Sequence, residues 1–237
     1  MPSVSTVSDL HLFSKRSLAD LHMDAIHEAL HDSDHFVLNG DTFDFRWTTL
    51  DTVEETVHAA IEWLDRFASR APHCHIHFVV GNHDHNQAFM DALEAFAEST
   101  PNFSWHPYYV KLGDTLFLHG DPANKKMSAA DLQRYREGWL HDRKKGKMLN
   151  RVYDVAFRYG AHKSVSRVAF PKKRVLDRLI HYLEDIGHGP DSDTETVYFG
   201  HTHRALSDHE HKGLRFSNGG APMPGLEFNI LNGVVDY

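Results

Sequence analysis

Cysteine is almost missing from this sequence. One cysteine in 237 residues cannot form an internal disulfide, so nothing points to an oxidising compartment. No apolar run approaches the ~18 residues that a membrane-crossing helix needs. A basic-then-apolar leader is not expected before residues 4–7, which already read as a strand. Internal repeats and low-complexity tracts are absent as well. These absences point to a cytoplasmic protein. Hydrophobic residues at 41% and charged residues at 24% match ordinary soluble usage. The length suits one large domain or two small ones, enough to bury a sizeable core.

Basic charge is scarce too, except in one segment. Residues 122–182 hold 16 Lys+Arg against 5 Asp+Glu, or +11, whereas the rest holds 9 against 28, or −19, for a total of −8. A basic segment within an acidic protein reads either as a surface for an anionic partner or as a solvated helical face. Histidine is the residue in excess. Its 21 copies are scattered rather than gathered in a terminal tag, which raises either a metal site or a pH-sensitive surface.

Short apolar runs alternate with helical periodicity. Residues 4–8, 36–39, 76–80, 115–118 and 196–199 read as buried strands, each ending in a polar or glycine-containing turn. Between them, 18–30, 53–67 and 87–97 show apolar residues at helical spacing. In the second, Val57, Ile61, Leu64 and Phe67 share one face, a core stripe. This alternation argues for an α/β fold. Residues 128–186 break the rhythm as a longer helical stretch, with Leu132, Trp139, Leu149, Val152, Val155, Phe157, Leu176, Ile180 and Leu183 as its apolar positions. Strands return at 205–209, 214–217 and 226–231, with Gly219, Gly220, Pro222 and Pro224 as turn formers. The basic helical stretch reads as a cap inserted between two parts of one core.

The chemistry sits after the strands. In order come Asp9-Leu10-His11, Gly40-Asp41-Thr42-Phe43-Asp44, Gly81-Asn82-His83-Asp84, His119-Gly120-Asp121 and Gly200-His201-Thr202-His203. In open α/β sheets, ligands gather beyond the carboxyl ends of strands. Hard oxygen and imidazole donors without a thiolate suit divalent Mn, Fe, Zn or Ni. Taken singly, Asp9 or Asp41 reads equally as a helix N-cap, Gly81-Asn82 as a turn, and His119 as a hydrogen-bonded structural residue. The ordered set is what caps and turns do not produce.

These five motifs resemble those of the calcineurin-like metallophosphoesterases, and they run from Asp9 to His203. The resemblance implies a four-layer α/β/β/α sandwich of two mixed sheets in a single domain over 1–237, with a helical cap insertion at about 122–190. It further implies two divalent metal ions, Mn first among the candidates. Asp9, His11, Asp41 and His203 would hold one ion, and Asp41, Asn82, His119 and His201 the other, with Asp41 bridging. Two ions ~3.5–4 Å apart would clamp phosphoryl oxygens and activate water for in-line attack. His83 would stand outside the metal shell, stabilising developing charge or protonating the leaving oxygen. Asp44 or Asp84 would orient it by accepting its second N–H.

The run from Gly40 through Asp44 to Phe45-Arg46-Trp47 is similar to the aromatic-rich motif of the UDP-2,3-diacylglucosamine diphosphatases. The short chain and the position of the insertion match that family as well. The likeness implies cleavage of a UDP-linked glucosamine lipid to UMP and a lipid monophosphate, a pyrophosphatase step of lipid A biosynthesis. It also implies a lid over acyl chains, here one carrying Trp139, Met148, Leu149, Val152 and Phe157. Apolar residues on a basic lid suit peripheral contact with the anionic inner membrane; the same residues also suit packing of the lid onto the core. The chain departs from the best-known form in carrying His83 where that form has Arg. Lys125, Lys126, Arg134, Lys163, Lys172 and Lys173 are substrate-binding candidates by charge alone.

Two other readings use the same motifs. One is a phosphoesterase acting on dinucleoside polyphosphates or phosphoproteins; the other is a scaffold that has lost catalysis, against which the complete donor set argues. A nucleic-acid partner is not expected, because the strongly acidic remainder would repel a long phosphate backbone.

Overall fold

The computed structural model of the protein describes residues 1–140 and 171–237. Met148, Leu149, Val152, Val155, Phe157 and Lys163, expected in the cap, lie outside the described residues.

Two five-stranded sheets form the centre. The first has the order β10-β1-β2-β3-β4, with β1 at Ser3–Val7, β2 at His35–Asn39, β3 at His75–Val79, β4 at Phe103–His106 and β10 at Leu231–Val234. Strands β1 to β4 run parallel, and β10 closes the edge antiparallel to β1. The second has the order β5-β6-β7-β9-β8, with β5 at Tyr109–Leu112, β6 at Thr115–Leu118, β7 at Thr196–Phe199, β8 at Leu206–His211 and β9 at Leu214–Asn218. Its inner pairs β6–β7 and β7–β9 are parallel and its edges antiparallel.

Three apolar clusters separate four layers. Helices α1 (Met23–His31), α2 (Val53–Arg70) and α3 (Gln87–Ser99) cover the outer face of the first sheet through Ile26, Leu30, Leu64, Phe67, Phe89 and Leu93. Val4, Val37 and Val79 meet Val110, Phe117 and Tyr198 between the sheets. Helices α4 (Ala129–Glu137) and α5 (Lys172–Asp185) cover the second sheet, with Leu132, Val175, Leu176, Leu179, Ile180 and Leu183 against Leu116, Val197 and Phe216. The described ends of the stretch expected as a cap therefore pack into the outer layer. The arrangement is the four-layer α/β/β/α sandwich of two mixed sheets. No helix among the described residues is long and apolar enough to cross a membrane.

The elements depart from the sequence reading in three places. The buried face of α2 is Thr56, Ala60, Leu64, Phe67 and Ala68, and Val57 and Ile61 sit half-buried at its margin. Thr56 can face inward because its hydroxyl donates to the Thr52 carbonyl at 2.8 Å and pairs with the Thr48 hydroxyl at 3.1 Å. Strands β4 and β5 escaped the reading because Ser104, His106 and Lys111 interrupt their apolar residues and leave no continuous run. The chain passes from one sheet to the other at Pro107. The last strand starts at Leu231 rather than 226, since Pro222, Pro224 and Gly225 keep the preceding segment in turns, with one bridge between Gly220 and Phe228.

Candidate metal centre

Five parallel strands end at one edge of the sandwich and deliver the five motifs there. Their loops are cross-linked by main-chain bonds. Asp9 N donates to the Gly40 carbonyl at 3.0 Å, His11 N to the Asp41 carbonyl at 2.9 Å, and Gly200 N to the His119 carbonyl at 2.8 Å. Asp9, His11, Asp41, His201 and His203 all adopt left-handed backbone conformations, with φ between 47° and 66°. Such conformations cost about 1–3 kcal/mol each outside glycine and persist where surrounding contacts hold them. Here the His201 amide donates to both Asp9 carboxylate oxygens at 3.0 Å, and the His83 amide to Asp41 Oδ1 at 2.8 Å.

Glycine is required where the loops touch. A Cβ on Gly81 would fall 2.1 Å from both the Asp41 amide nitrogen and its Oδ1. At Gly40, with φ of 85°, a Cβ would lie 2.4 Å from His119 Nδ1.

All seven residues expected as metal donors come together. Asp9, His11 and His203 form one group, Asp41, His119 and His201 another, and His11, Asp41 and His83 a third that overlaps both; within each, the donor atoms lie within 4.8 Å of one another. His11 Nε2 faces His203 Nε2 at 3.2 Å, and His203 Nε2 lies 3.3 Å from Asp9 Oδ1. On the other side, His119 Nε2 lies 3.1 Å from His201 Nδ1 and 3.2 Å from Asn82 Oδ1. Asp41 Oδ2 stands between the groups, 3.8 Å from His11 Nε2 and 3.3 Å from His119 Nε2.

The donor set fits two divalent cations. Buried carboxylates at Asp9 and Asp41 and converging imidazole nitrogens form a site that a cation compensates and that apolar packing does not. Burial alone would raise Asp41, yet His119, His83 and His11 hold it well below the usual carboxylate range. Burial would lower His119, but Asp41 lifts it to about 9. His201 falls to about 4 through burial and the neighbouring His119 charge.

His83 stands beside this cluster. Its Nδ1 lies 3.0 Å from Asp44 Oδ1, and its ring is 4.8 Å from that of His11. Burial pushes its pKa down, but Asp44 and Asp41 carry it up to about 9. The other Asp44 oxygen lies 3.5 Å from His11 Nδ1, an approach without hydrogen-bond geometry. Asp84, the other candidate for orienting His83, braces the loops instead. It accepts from the amides of Phe43 at 2.7 Å, Gly81 at 3.0 Å and Thr42 at 3.2 Å. Burial and the nearby Asp41 charge raise it to about 7.

Outward from His83 lies an aromatic and guanidinium wall. Trp139 is 5.6 Å from His83, the Arg46 guanidinium lies 4.7 Å over Trp139, and that of Arg16 lies 5.0 Å over Trp47. Arg46 and Trp47 were legible in the aromatic-rich motif; Arg16 was not. Of the cations selected by charge, Arg134 pairs with Asp131 at 2.6 Å, and Lys125 lies 6.0 Å over Tyr135. Lys126 and Lys173 line an outer groove with Arg174, Arg178 and Lys212. Lys172 borders a small cavity of about 40 Å³ that it shares with Leu176, Phe199, Thr202, Arg204 and Leu206. Lys163 lies outside the described residues.

Residues 4–205 match the profile of the calcineurin-like phosphoesterases. Among solved structures, a dimetal phosphatase from Danio rerio shares the fold, with a TM-score of 0.53 at 11% sequence identity, covering 99% of this chain and 93% of that one. No curated protein matches the sequence. The strand-end donors on this sandwich are those of a metal-dependent phosphoesterase, a hydrolase. The chain belongs to the calcineurin-like phosphoesterase family, which uses a dinuclear divalent metal site.

Proposed function

We propose that the protein hydrolyses a pyrophosphate or phosphodiester bond, and that its substrate is UDP-2,3-diacylglucosamine, released as UMP and a lipid monophosphate. Asp9, His11, Asp41 and His203 would hold one ion, and Asp41, Asn82, His119 and His201 the second; Mn²⁺ suits these donors, as do Fe, Zn and Ni. Such ions, when bound, neutralise the phosphoryl oxygens and lower the pKa of the attacking water. The observation that carries the reading is His83, held by Asp44 at 3.0 Å beside the seven donors and under Trp139. With Nδ1–H fixed on Asp44, the imidazole has one orientation in which to give a proton to the leaving oxygen or stabilise its charge.

The lipid substrate rests on the likeness of residues 40–47 to the diacylglucosamine diphosphatases and on the basic insertion. Lys172, with Lys125, Lys126, Lys173, Arg134 and Lys163 as further candidates, would meet the anionic part of the substrate. Such a surface would also seat the protein on the anionic inner membrane from the cytoplasmic side. A nucleotide-polyphosphate substrate is the second reading, favoured by the wall of Trp139, Trp47, Arg46 and Arg16, whose guanidinium groups would meet a polyphosphate. Hydrolysis rates for UDP-diacylglucosamine, diadenosine polyphosphate and a phosphopeptide, compared at equal Mn²⁺, decide between them. Preference for the glycolipid is expected; preference for either of the others overturns the lipid substrate.

A further inference from the structure

Arg136 heads the fully buried side chains by size, at 1% exposure. It follows Leu132 by four residues on α4, so the two share the face turned to the core. Its guanidinium is fully engaged. Nε donates to Asp121 Oδ1 at 2.9 Å, and Nη2 to Asp121 Oδ2. Nη1 donates to the Gly81 carbonyl at 2.7 Å and to the Val80 carbonyl at 3.0 Å, which also accepts from Nη2 at 3.0 Å.

The partners of this fork matter by position. Asp121 lies two residues beyond His119, and Gly81 immediately precedes Asn82. One side chain thus ties together the loops after β3 and β6, whose donors Asn82 Oδ1 and His119 Nε2 are 3.2 Å apart. None of its bonds reaches the loops carrying Asp9, His11 or His203. A buried ion pair adds little stability over well-packed apolar residues, so packing alone does not account for it. A planar fork that fixes two loops at once is what lysine cannot reproduce.

We propose that Arg136 is a positioning residue for the second metal pocket, setting Asn82 against His119, so that loosening it weakens the ion held there while sparing the ion at Asp9, His11 and His203. The proposal rests on the two-ion reading of the site. Titration of metal-free protein with Mn²⁺, followed by calorimetry, separates the two. Wild-type protein should take up two equivalents, and Arg136→Lys should keep one tight site while the other weakens ~10–100-fold, the range for lost partners behind metal ligands. Activity of that variant should recover as Mn²⁺ is raised. Asp121→Asn, which leaves the bonds to Val80 and Gly81 in place, serves as the milder variant, with circular dichroism and Tm recorded for each. Two equivalents in the wild type with both sites unchanged in Arg136→Lys overturns the proposal alone. Equal weakening of both sites, or unfolding of both variants, also overturns it by making Arg136 merely structural. Fewer than two equivalents in the wild type overturns the two-ion reading and this proposal with it.

Discussion

On the proposed reading, His83 and Asp44 would separate catalysis from metal binding at the level of single side chains. Neither belongs to the seven donors, yet one imidazole stands at the cluster and one carboxylate fixes it. His83→Ala should slow turnover by ~10²–10⁴-fold while the metal content stays at the wild-type value; a normal rate would return His83 to a structural role. Asp44→Asn should cost ~10–100-fold, because the amide still fills the space but no longer commands the imidazole N–H. Gly81 tests the backbone in the same way. Its Cβ would collide with Asp41 main chain and carboxylate at 2.1 Å, so Gly81→Ala should lower both Tm and metal uptake. An alanine variant matching the wild type in both measurements would contradict the close approach. The donors were readable because each follows a strand in a fixed order. Arg136 was not, although its signal was present: a basic residue four positions after Leu132, on the side of α4 that carries its apolar contact.

Among the elements, the strands explain part of the histidine surplus. His35 on β2, His75 and His77 on β3 and His106 on β4 share the sheet face that turns toward β5. His35 Nδ1 lies 3.1 Å from His77 Nε2, and His77 Nδ1 lies 3.4 Å from His106 Nε2. Ser104 Oγ joins them at 3.1–3.2 Å from His75, His77 and His106, and Tyr237 OH lies 3.5 Å from His35. Neutral rings can each donate once and accept once along this line; an added proton sets N–H against N–H. Burial with the neighbouring imidazoles lowers His77 to about 3, and burial with His75 lowers His106 to about 4. Burial lowers His35 despite adjacent Asp34, and burial with His35 lowers His75. Because the folded values lie below the unfolded value of ~6.5, protons favour the unfolded chain. The array's contribution to stability should be complete above pH ~6.5 and decline progressively as pH falls from there toward ~3. His77→Gln should flatten that decline in Tm against pH; an unchanged slope would mean that the array does not titrate. Alternation along β3 was visible in the sequence, but its neighbours on β2 and β4 required the register. The five central strands were legible because short apolar runs end in turn residues. β4 and β5 were hidden by the polar Ser104, His106 and Lys111 within them, and the start of β10 by the prolines before it.

For the whole molecule, the strand order brings residues 9 to 203 to one edge, so metal binding and folding are coupled. An ion held only by the folded chain stabilises it by about 2.7 kcal/mol at a hundred times its dissociation constant. Mn²⁺ should therefore raise Tm and a chelator lower it, and an unresponsive Tm would count against a cluster shared by both sheets. Family membership and fold follow from the ordered motifs, whereas the substrate depends on surfaces that charge patterning alone does not specify. The strongest single test is the number of Mn²⁺ ions bound per chain by the purified protein and by Asp41→Ala. Two ions in the wild type and loss of tight binding at both positions in the variant are expected, because Asp41 stands between the two donor groups. A wild-type protein binding fewer than two ions, or an Asp41→Ala variant that retains both, would contradict the two-ion site.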